Sequence, residues 1–190
     1  MTDHPVLRVL HRTLDVFARA DVACAVMGGF AVRHWALPRP TYDVDFAVAV
    51  EGEELLRLLR IFDEAGFSVP SHFLSGFTDT LAGMRKVAIG CFDSGSVWNV
   101  DLFLATTPFV RSAFERRVPS EVEGRSLSVV SVEDLLLFKL LANRAKDRAD
   151  IEDLLFVCGP LDLAYLRRWA VHLEVSGRLE EVLRESGRAG

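Results

Sequence analysis

The chain has little of what builds disulfide scaffolds or soft-metal centres. Its 190 residues include three cysteines and five histidines. Cys24, Cys91 and Cys158 are odd in number, far apart and each set in an apolar run. That excludes a disulfide framework and reads as small core residues in a reducing compartment. No cysteine pair has zinc-type spacing and no HxH or HxxxH pair occurs, which excludes a thiolate or imidazole metal centre. No apolar run reaches the ~18 residues that a bilayer span needs. Asp3, His4, Arg8 and Arg12 interrupt the apolar residues of the N-terminus, unlike a secretory leader, so a cytoplasmic protein with no membrane partner is expected. Basic charge is short as well: 22 Lys and Arg stand against 27 Asp and Glu, a net charge of −5. Such a chain lacks the global positive field of a dedicated nucleic-acid binder. What it does have is apolar residues, half of the total, enough to bury one substantial core.

The apolar pattern orders the chain into a mixed front and a helical back. Residues 5–20 place Leu7, Leu10, Leu14 and Phe17 at helical spacing. A short strand from Val22 to Met27 ends at Gly28-Gly29, and Phe30 to Leu37 reads as a helix stopped by Pro38 and Pro40. A strand from Tyr42 to Val50 and a helix from Glu53 to Ala65 follow, the helix carrying Leu55, Leu56, Leu59 and Phe62 on one stripe with Gly66 as its stop. Residues 67–83 resist assignment and are a candidate flap. Met84–Phe92 and Ser96–Leu104 form strands joined at Asp93-Ser94-Gly95, a short helix spans Pro108–Arg116, and a second hairpin within 118–130 turns at Glu123-Gly124. From Ser131, which makes a capping box with Asp134, the pattern is helical: Leu135–Leu141, Asp147–Val157, Leu161–Val175 and Leu179–Arg184. The expected fold class is α/β (α+β): a small mixed sheet flanked by helices in residues 1–130, with residues 131–190 a helical part packed on it.

The run Tyr42-Asp43-Val44-Asp45-Phe46 carries the chemistry. Alternate strand residues share a face, so Asp43 and Asp45 emerge together. Two adjacent carboxylates in an apolar setting repel and are poorly solvated, and a divalent cation relieves both problems. Mg²⁺ (or Mn²⁺) fits, since it takes carboxylate oxygens together with substrate phosphates. A two-ion site requires a third carboxylate. Asp93, in a hairpin turn, has an ordinary solvated explanation; Asp101, within the strand Trp98–Leu104, has none and is the better candidate. Gly28-Gly29 at a strand-to-helix turn offers free N–H groups and a helix dipole to a phosphate.

Other residues admit two readings each. Arg39 serves either as a turn residue or as a fork neutralising a triphosphate or bracing the aspartates. Lys139 stands in an apolar helix, either snorkelling or reaching the site. Asp147, with Asp150 three residues on, serves as an N-cap or contacts nucleotide. Arg144, Lys146 and Arg148 read as ordinary solvated charge, as does Arg33.

Met27-Gly28-Gly29, thirteen residues, then Asp43-Val44-Asp45-Phe46 resembles the signature of the nucleotidyltransferase superfamily, with its polymerase-β-like fold. Arg39-Pro40-Thr41-Tyr42-Asp43-Val44-Asp45 resembles the Arg-x-Thr-x-Asp run of the AbiEii/MenA-like toxin branch and its uncharacterised relatives, as do Lys139 and the Asp147-x-x-Asp150 pair downstream. The resemblance covers roughly residues 20–158. It implies that Asp43, Asp45 and Asp101 hold metal, that Gly28 and Gly29 contact the phosphates of a nucleoside triphosphate, and that Lys139 reaches toward them, with Arg39, Asp147 and Asp150 in the nucleotide site. The implied reaction transfers a nucleoside monophosphate to an acceptor hydroxyl and releases pyrophosphate. The acceptor is open between tRNA, a protein and a small molecule; the toxin branch implies tRNA and an antitoxin partner. An aminoglycoside-type acceptor would require a second acidic pocket, for which Glu133, Asp134 and Asp150 are candidates. A non-catalytic nucleotide-binding or interaction domain of the same fold is the alternative.

Overall fold

The computed structural model describes residues 4–122 and 124–188, Val122 by its backbone alone. In chain order the elements are α1 (Pro5–Ala20), β1 (Cys24–Met27), α2 (Gly28–Trp35), β2 (Asp43–Val48), α3 (Gly52–Glu64), β3 (Phe67–Ser68), α4 (Ser71–Leu74), β4 (Asp79–Leu81), β5 (Met84–Asp93), β6 (Ser96–Leu104), α5 (Pro108–Glu115), β7 (Val118–Val122), β8 (Arg125–Val129), α6 (Val132–Ala142), α7 (Ala145–Val157), α8 (Leu163–His172) and α9 (Ser176–Glu185). None of these helices is long and apolar enough to cross a membrane.

The strands form one mixed sheet in the order β3-β5-β6-β2-β1-β8-β7, with β4 on β5. β2 runs parallel to β6 and antiparallel to β1, and β1 runs parallel to β8. The β5–β6 hairpin turns through Ser94 and Gly95 with φ of 50° and 80°. Positive φ at both central residues is the turn that matches strand twist. Its two-residue loop pairs Asp93 with Ser96, and so sets every later pair, down to Lys86 with Phe103.

Helices cover both faces. On one face, Val44, Phe46 and Val48 of β2 join Val87, Ile89, Val100 and Leu102 beneath α1 and α3. The buried stripe of α1 is Val6, Val9, Leu10, Thr13, Val16, Phe17 and Ala20, one residue round from the Leu7–Leu14 line, and both of those leucines are half-buried beside it. In α3, likewise, Leu58 and not Leu56 lies in the buried row. On the other face, Ala25, Met27, Ala47 and Phe103 pack against α5 to α9. The helix α6 is buried over most of its surface, from Asp134 to Leu140, since it lies between the sheet and α7 and α8.

Several boundaries differ from the sequence reading. α2 begins at the glycines themselves, with no residue between it and β1. Residues 67–83 are not a free flap: β3 and β4 both pair with β5, and Phe73 is buried. α7 starts two residues early, so Asp147 is its third residue and accepts from the Arg144 N–H at 3.1 Å in place of acting as the cap. Ser131 does cap α6, accepting from Asp134 N at 3.2 Å. The Asp134 carboxylate does not complete the box, accepting instead from Ser131 Oγ at 2.6 Å and Tyr165 OH. Gly124 lies in the second hairpin's turn with φ of 78°; Glu123 lies outside the described residues. Cys91 is buried, and Cys24 and Cys158 are half-buried free thiols; burial pushes Cys24 up to about 12, which leaves it an inert packing group.

Candidate active site

Parallel pairing of β2 with β6 sets Asp43 against Asn99 and Asp45 against Asp101. Paired residues share a face, so the three carboxylates come together on the side of the sheet that carries α6. They line one cleft of about 60 Å³ with Met27, Gly28, Met84, Phe103, Phe138, Lys139 and Arg144 among its walls. Asp93 is at the far end of the hairpin, where Arg8 of α1 binds it at 2.6 Å.

The glycine turn touches the carboxylates directly. Gly28 has φ of +61°, and a Cβ there would fall 1.8 Å from Asp45 Oδ2. Both the backbone conformation and the space demand glycine. A Cβ on Gly29 would fall 2.7 Å from Thr41 Oγ1. That hydroxyl is buried and has no hydrogen-bond partner among the described residues. The N-terminus of α2, with its unpaired N–H groups, thus stands beside Asp45 and an unsatisfied hydroxyl.

The electrostatics are uneven. Burial, then Asp43, then Asp101 push the Asp45 carboxyl from 3.8 up to about 7, against the opposing pull of Lys139 and Arg144. Asp45 makes no ion pair among the described residues, and Lys146 Nζ stands 4.0 Å from Asp43 Oδ2. Asp101 Oδ2 accepts from Lys86 Nζ at 2.7 Å. Among the described residues no three carboxylate, imidazole or thiol groups are gathered as a closed ligand set. As a donor set, however, hard oxygen ligands with unbalanced negative charge suit Mg²⁺ or Mn²⁺.

Behind the cleft lies a second, saturated cluster. Lys139 Nζ donates to Asp147 Oδ1 at 3.0 Å and to Asp150 Oδ2 at 2.6 Å. Arg39 forks onto Asp150, its Nη2 2.8 Å from Oδ2, and Arg144 Nε binds Asp147 at 2.7 Å. Lys139 is 3 % exposed and both aspartates 0 %. Burial opposes ionisation of Asp147, but Arg144 and Lys139 outweigh it and hold the carboxyl below its usual range; Arg39 and Lys139 do the same for Asp150. Arg39, Asp147 and Asp150 are not among the walls of the cleft. Of the predicted nucleotide-site residues, then, Gly28 and Lys139 line it, Gly29 lies beside it, and those three brace Lys139 from behind.

No family model matches the chain, and no curated protein is significantly similar to it. Solved structures are. An antigenic nucleotidyltransferase-like protein from Paracoccidioides brasiliensis superposes with a TM-score of 0.57 at 17 % identity, over 95 % of this chain and 91 % of that one. The crystal structure of ANT(2″)-Ia in complex with adenylyl-2″-tobramycin gives 0.51 at 15 % identity, over 94 % and 95 %. The solution structure of the antibiotic-resistance factor ANT(2″)-Ia gives 0.51 at 14 % identity, over 94 % of each chain. The chain shares the fold of these solved structures.

Within this fold, three cationic residues have places that the sequence reading did not assign. Arg144 and Lys146, read as solvated charge, stand at the cleft wall and near Asp43. Only Arg148 of that group is an ordinary surface residue, paired with Glu185 at 2.9 Å. Lys86 was not singled out, although the hairpin turn at Ser94-Gly95 contains the register that sets it diagonally from Asp101. The acidic pocket drawn from Glu133, Asp134 and Asp150 does not form. Arg116 pairs with Glu133 and Asp134, and Asp150 is closed in the Lys139 cluster.

Proposed function

We propose that the chain is a divalent-metal-dependent nucleotidyltransferase that moves a nucleoside monophosphate from a nucleoside triphosphate to an acceptor hydroxyl, releasing pyrophosphate. The observation that carries this reading is the 1.8 Å between the Gly28 Cβ position and Asp45 Oδ2. A phosphate received by the first N–H groups of α2 lies in contact with the carboxylate pair, so anion cradle and cation site are one site.

Asp43 and Asp45 would hold the ion, with Asp101 beside them. A bound divalent ion supplies charge neutralisation at the phosphoryl oxygens. Gly28 and Gly29 present backbone N–H groups to the phosphates, and Thr41 Oγ1 is an unused hydroxyl next to them. Arg144 adds positive charge at the cleft wall. Lys139, with two of its three donors taken by Asp147 and Asp150, sets a fixed positive charge behind the phosphates without being free to leave. Catalysis of this kind is positioning and electrostatics, with little covalent chemistry by the protein.

A small hydroxylated acceptor has the better support, though not one held by an acidic pocket of Glu133, Asp134 and Asp150, which are paired with Arg116 and Lys139. ANT(2″)-Ia, which shares the fold, carries adenylyl-2″-tobramycin, and a chain of net charge −5 offers a polyanion no attractive field. The tRNA-directed toxin with an antitoxin partner rests on the Arg39–Asp45 and Lys139–Asp150 pattern alone. Incubation with each α-labelled nucleoside triphosphate, Mg²⁺ or Mn²⁺, and in turn a metabolite pool, total RNA and a protein extract decides between them. Label is expected in the metabolite pool and absent with Asp43→Ala/Asp45→Ala. Label in RNA restores the toxin reading. Nucleotide binding without transfer to any pool establishes a binding module, and transfer that survives the double substitution overturns the assignment of the site.

A further inference from the structure

Of the three cleft carboxylates, one already has a cation at hydrogen-bond distance. Lys86 lies on β5, where Val87 and Ile89 enter the core under α1 and α3 and Met84 and Lys86 alternate to the opposite face, that of Asp101. Lys86 is paired in register with Phe103, two residues from Asp101 on β6, and its stem crosses that diagonal to place Nζ 2.7 Å from Asp101 Oδ2. Both side chains are only 18 % exposed. On its other side Lys86 faces Asp79 of β4 in register. A carboxylate at the sheet edge was therefore available as partner, yet the ammonium sits on Asp101, inside the cleft.

The other cations near the cleft are differently engaged. Lys139 and Arg144 are held by Asp147 and Asp150, and Lys146 reaches Asp43 at 4.0 Å from a half-exposed position. Asp45 is thus left without an ion pair among the described residues and Asp43 with a distant one only, while Asp101 is balanced at hydrogen-bond distance.

We propose that Lys86 is a built-in cation of the active site: its ammonium occupies Asp101 in place of a second divalent ion, so that the chain binds one divalent ion, on Asp43 and Asp45, and Asp101 is not a metal ligand. The proposal rests on the metal-dependent reading of the cleft and narrows it. A dication on Asp101 would stand close to an ammonium of the same sign, and that repulsion opposes a second ion. Lys86 is tethered by the strand and needs no recruitment from solution. Its Nζ has three donors and directs one to Asp101. Two remain for oxygens of a phosphoryl group or an acceptor, the service that a second ion renders in a two-ion site. Lys86 would make a single-ion site of an acidic trio that on composition alone fits two.

Counting Mn²⁺ bound to the full chain, by loss of the free-ion electron paramagnetic resonance signal without nucleotide, tests this. One ion per chain is expected for the wild type and for Lys86→Arg, two for Lys86→Met, and one again for Lys86→Met/Asp101→Asn. Asp101→Asn in the otherwise native chain keeps its one ion, a result that does not depend on how Lys86→Met folds. Two ions on the wild type, a single ion on a folded Lys86→Met, or loss of the ion in Asp101→Asn would each overturn the proposal. Failure of the underlying reading has a different signature, namely one ion that persists in Asp43→Asn/Asp45→Asn, or none on the wild type.

Discussion

The cleft and the cluster behind it hold similar numbers of charges at opposite states of balance. Asp147 and Asp150 are fully buried, but each lone pair that matters has a cationic donor, and ionisation is favoured. Asp45, in the cleft, has neighbours of its own sign and is pushed up to about 7. One cluster holds the fold together; the other holds a deficit that a bound cation would remove. Unbalanced charge persists in a folded protein at a cost in stability, and such sites mark function.

Breaking the acidic pair should have the largest effect. Asp43→Asn/Asp45→Asn is expected to lower kcat/KM for nucleotidyl transfer by about 10³-fold or more, equivalent to ~4 kcal/mol, with the melting temperature unchanged or raised. A steady-state assay beside a thermal melt checks both halves. If the variant unfolds, the carboxylates belong to the structural cluster and the contrast is lost.

Lys139→Met should do the reverse. It leaves Asp147 and Asp150 buried with weakened compensation, costing about 3–5 kcal/mol and lowering the melting temperature by roughly 10 °C for a chain of this size. Calorimetry measures it. Because both carboxyls lie below their usual range, their contribution is present above the unfolded-state carboxylate pKa and lost as pH falls through the folded-state value. The penalty of the substitution should therefore shrink on acidification.

Gly28→Ala tests the contact between cradle and pair. A methyl group there must displace Asp45, so activity should drop about 10²-fold (~2.7 kcal/mol), while the positive φ costs about 1–2 kcal/mol of stability. Equal losses of activity and stability would show that the turn is structural only.

Asp45→Asn separates the two regions by pH. A carboxyl raised from 3.8 to about 7 favours the folded state below pH 4 and loses that contribution as pH rises through 7. The Asn variant should be more stable than the wild type by on the order of 2 kcal/mol at pH 8 and no more stable at pH 4, since a tenfold change in acidity is worth ~1.4 kcal/mol and the cleft carboxyls share their protons. Added Mg²⁺ should stabilise the wild type at pH 8 and leave the variant unmoved. The smallest effect is expected at Ser131→Ala, about 1 kcal/mol from the α6 cap, with transfer unaffected.

Much of this was legible in local pattern. The Asp43-Val44-Asp45 alternation, the glycine pair, the Ser94-Gly95 turn and the apolar periodicities of α1 and α3 are short-range signals, with spacings that backbone geometry translates directly into faces and turns. Leu10 and Phe17 of α1 and Leu55, Leu59 and Phe62 of α3 are buried as expected, while Leu7, Leu14 and Leu56 lie at the edge of the buried row, because the contact line depends on how each helix lies on the sheet. Residues 67–83 carry too few consecutive apolar positions to declare strands that exist only by pairing with β5. Arg144 and Lys86 look like any surface charge in sequence, and their roles come from the tertiary neighbours that the fold gives them.

The sequence by itself determined that two carboxylates share a strand face beside a phosphate-sized glycine turn, since alternation and glycine's freedom are properties of the local backbone. Which charges complete that site and which are neutralised behind it was decided only by tertiary structure. Parallel pairing of β2 with β6 brings Asp101 to Asp45, the β5–β6 register brings Lys86 to Asp101, and the packing of α7 on α6 ties Lys139 to Asp147 and Asp150. Charge balance depends on distances between separate segments of the chain, and only the folded sheet sets those distances.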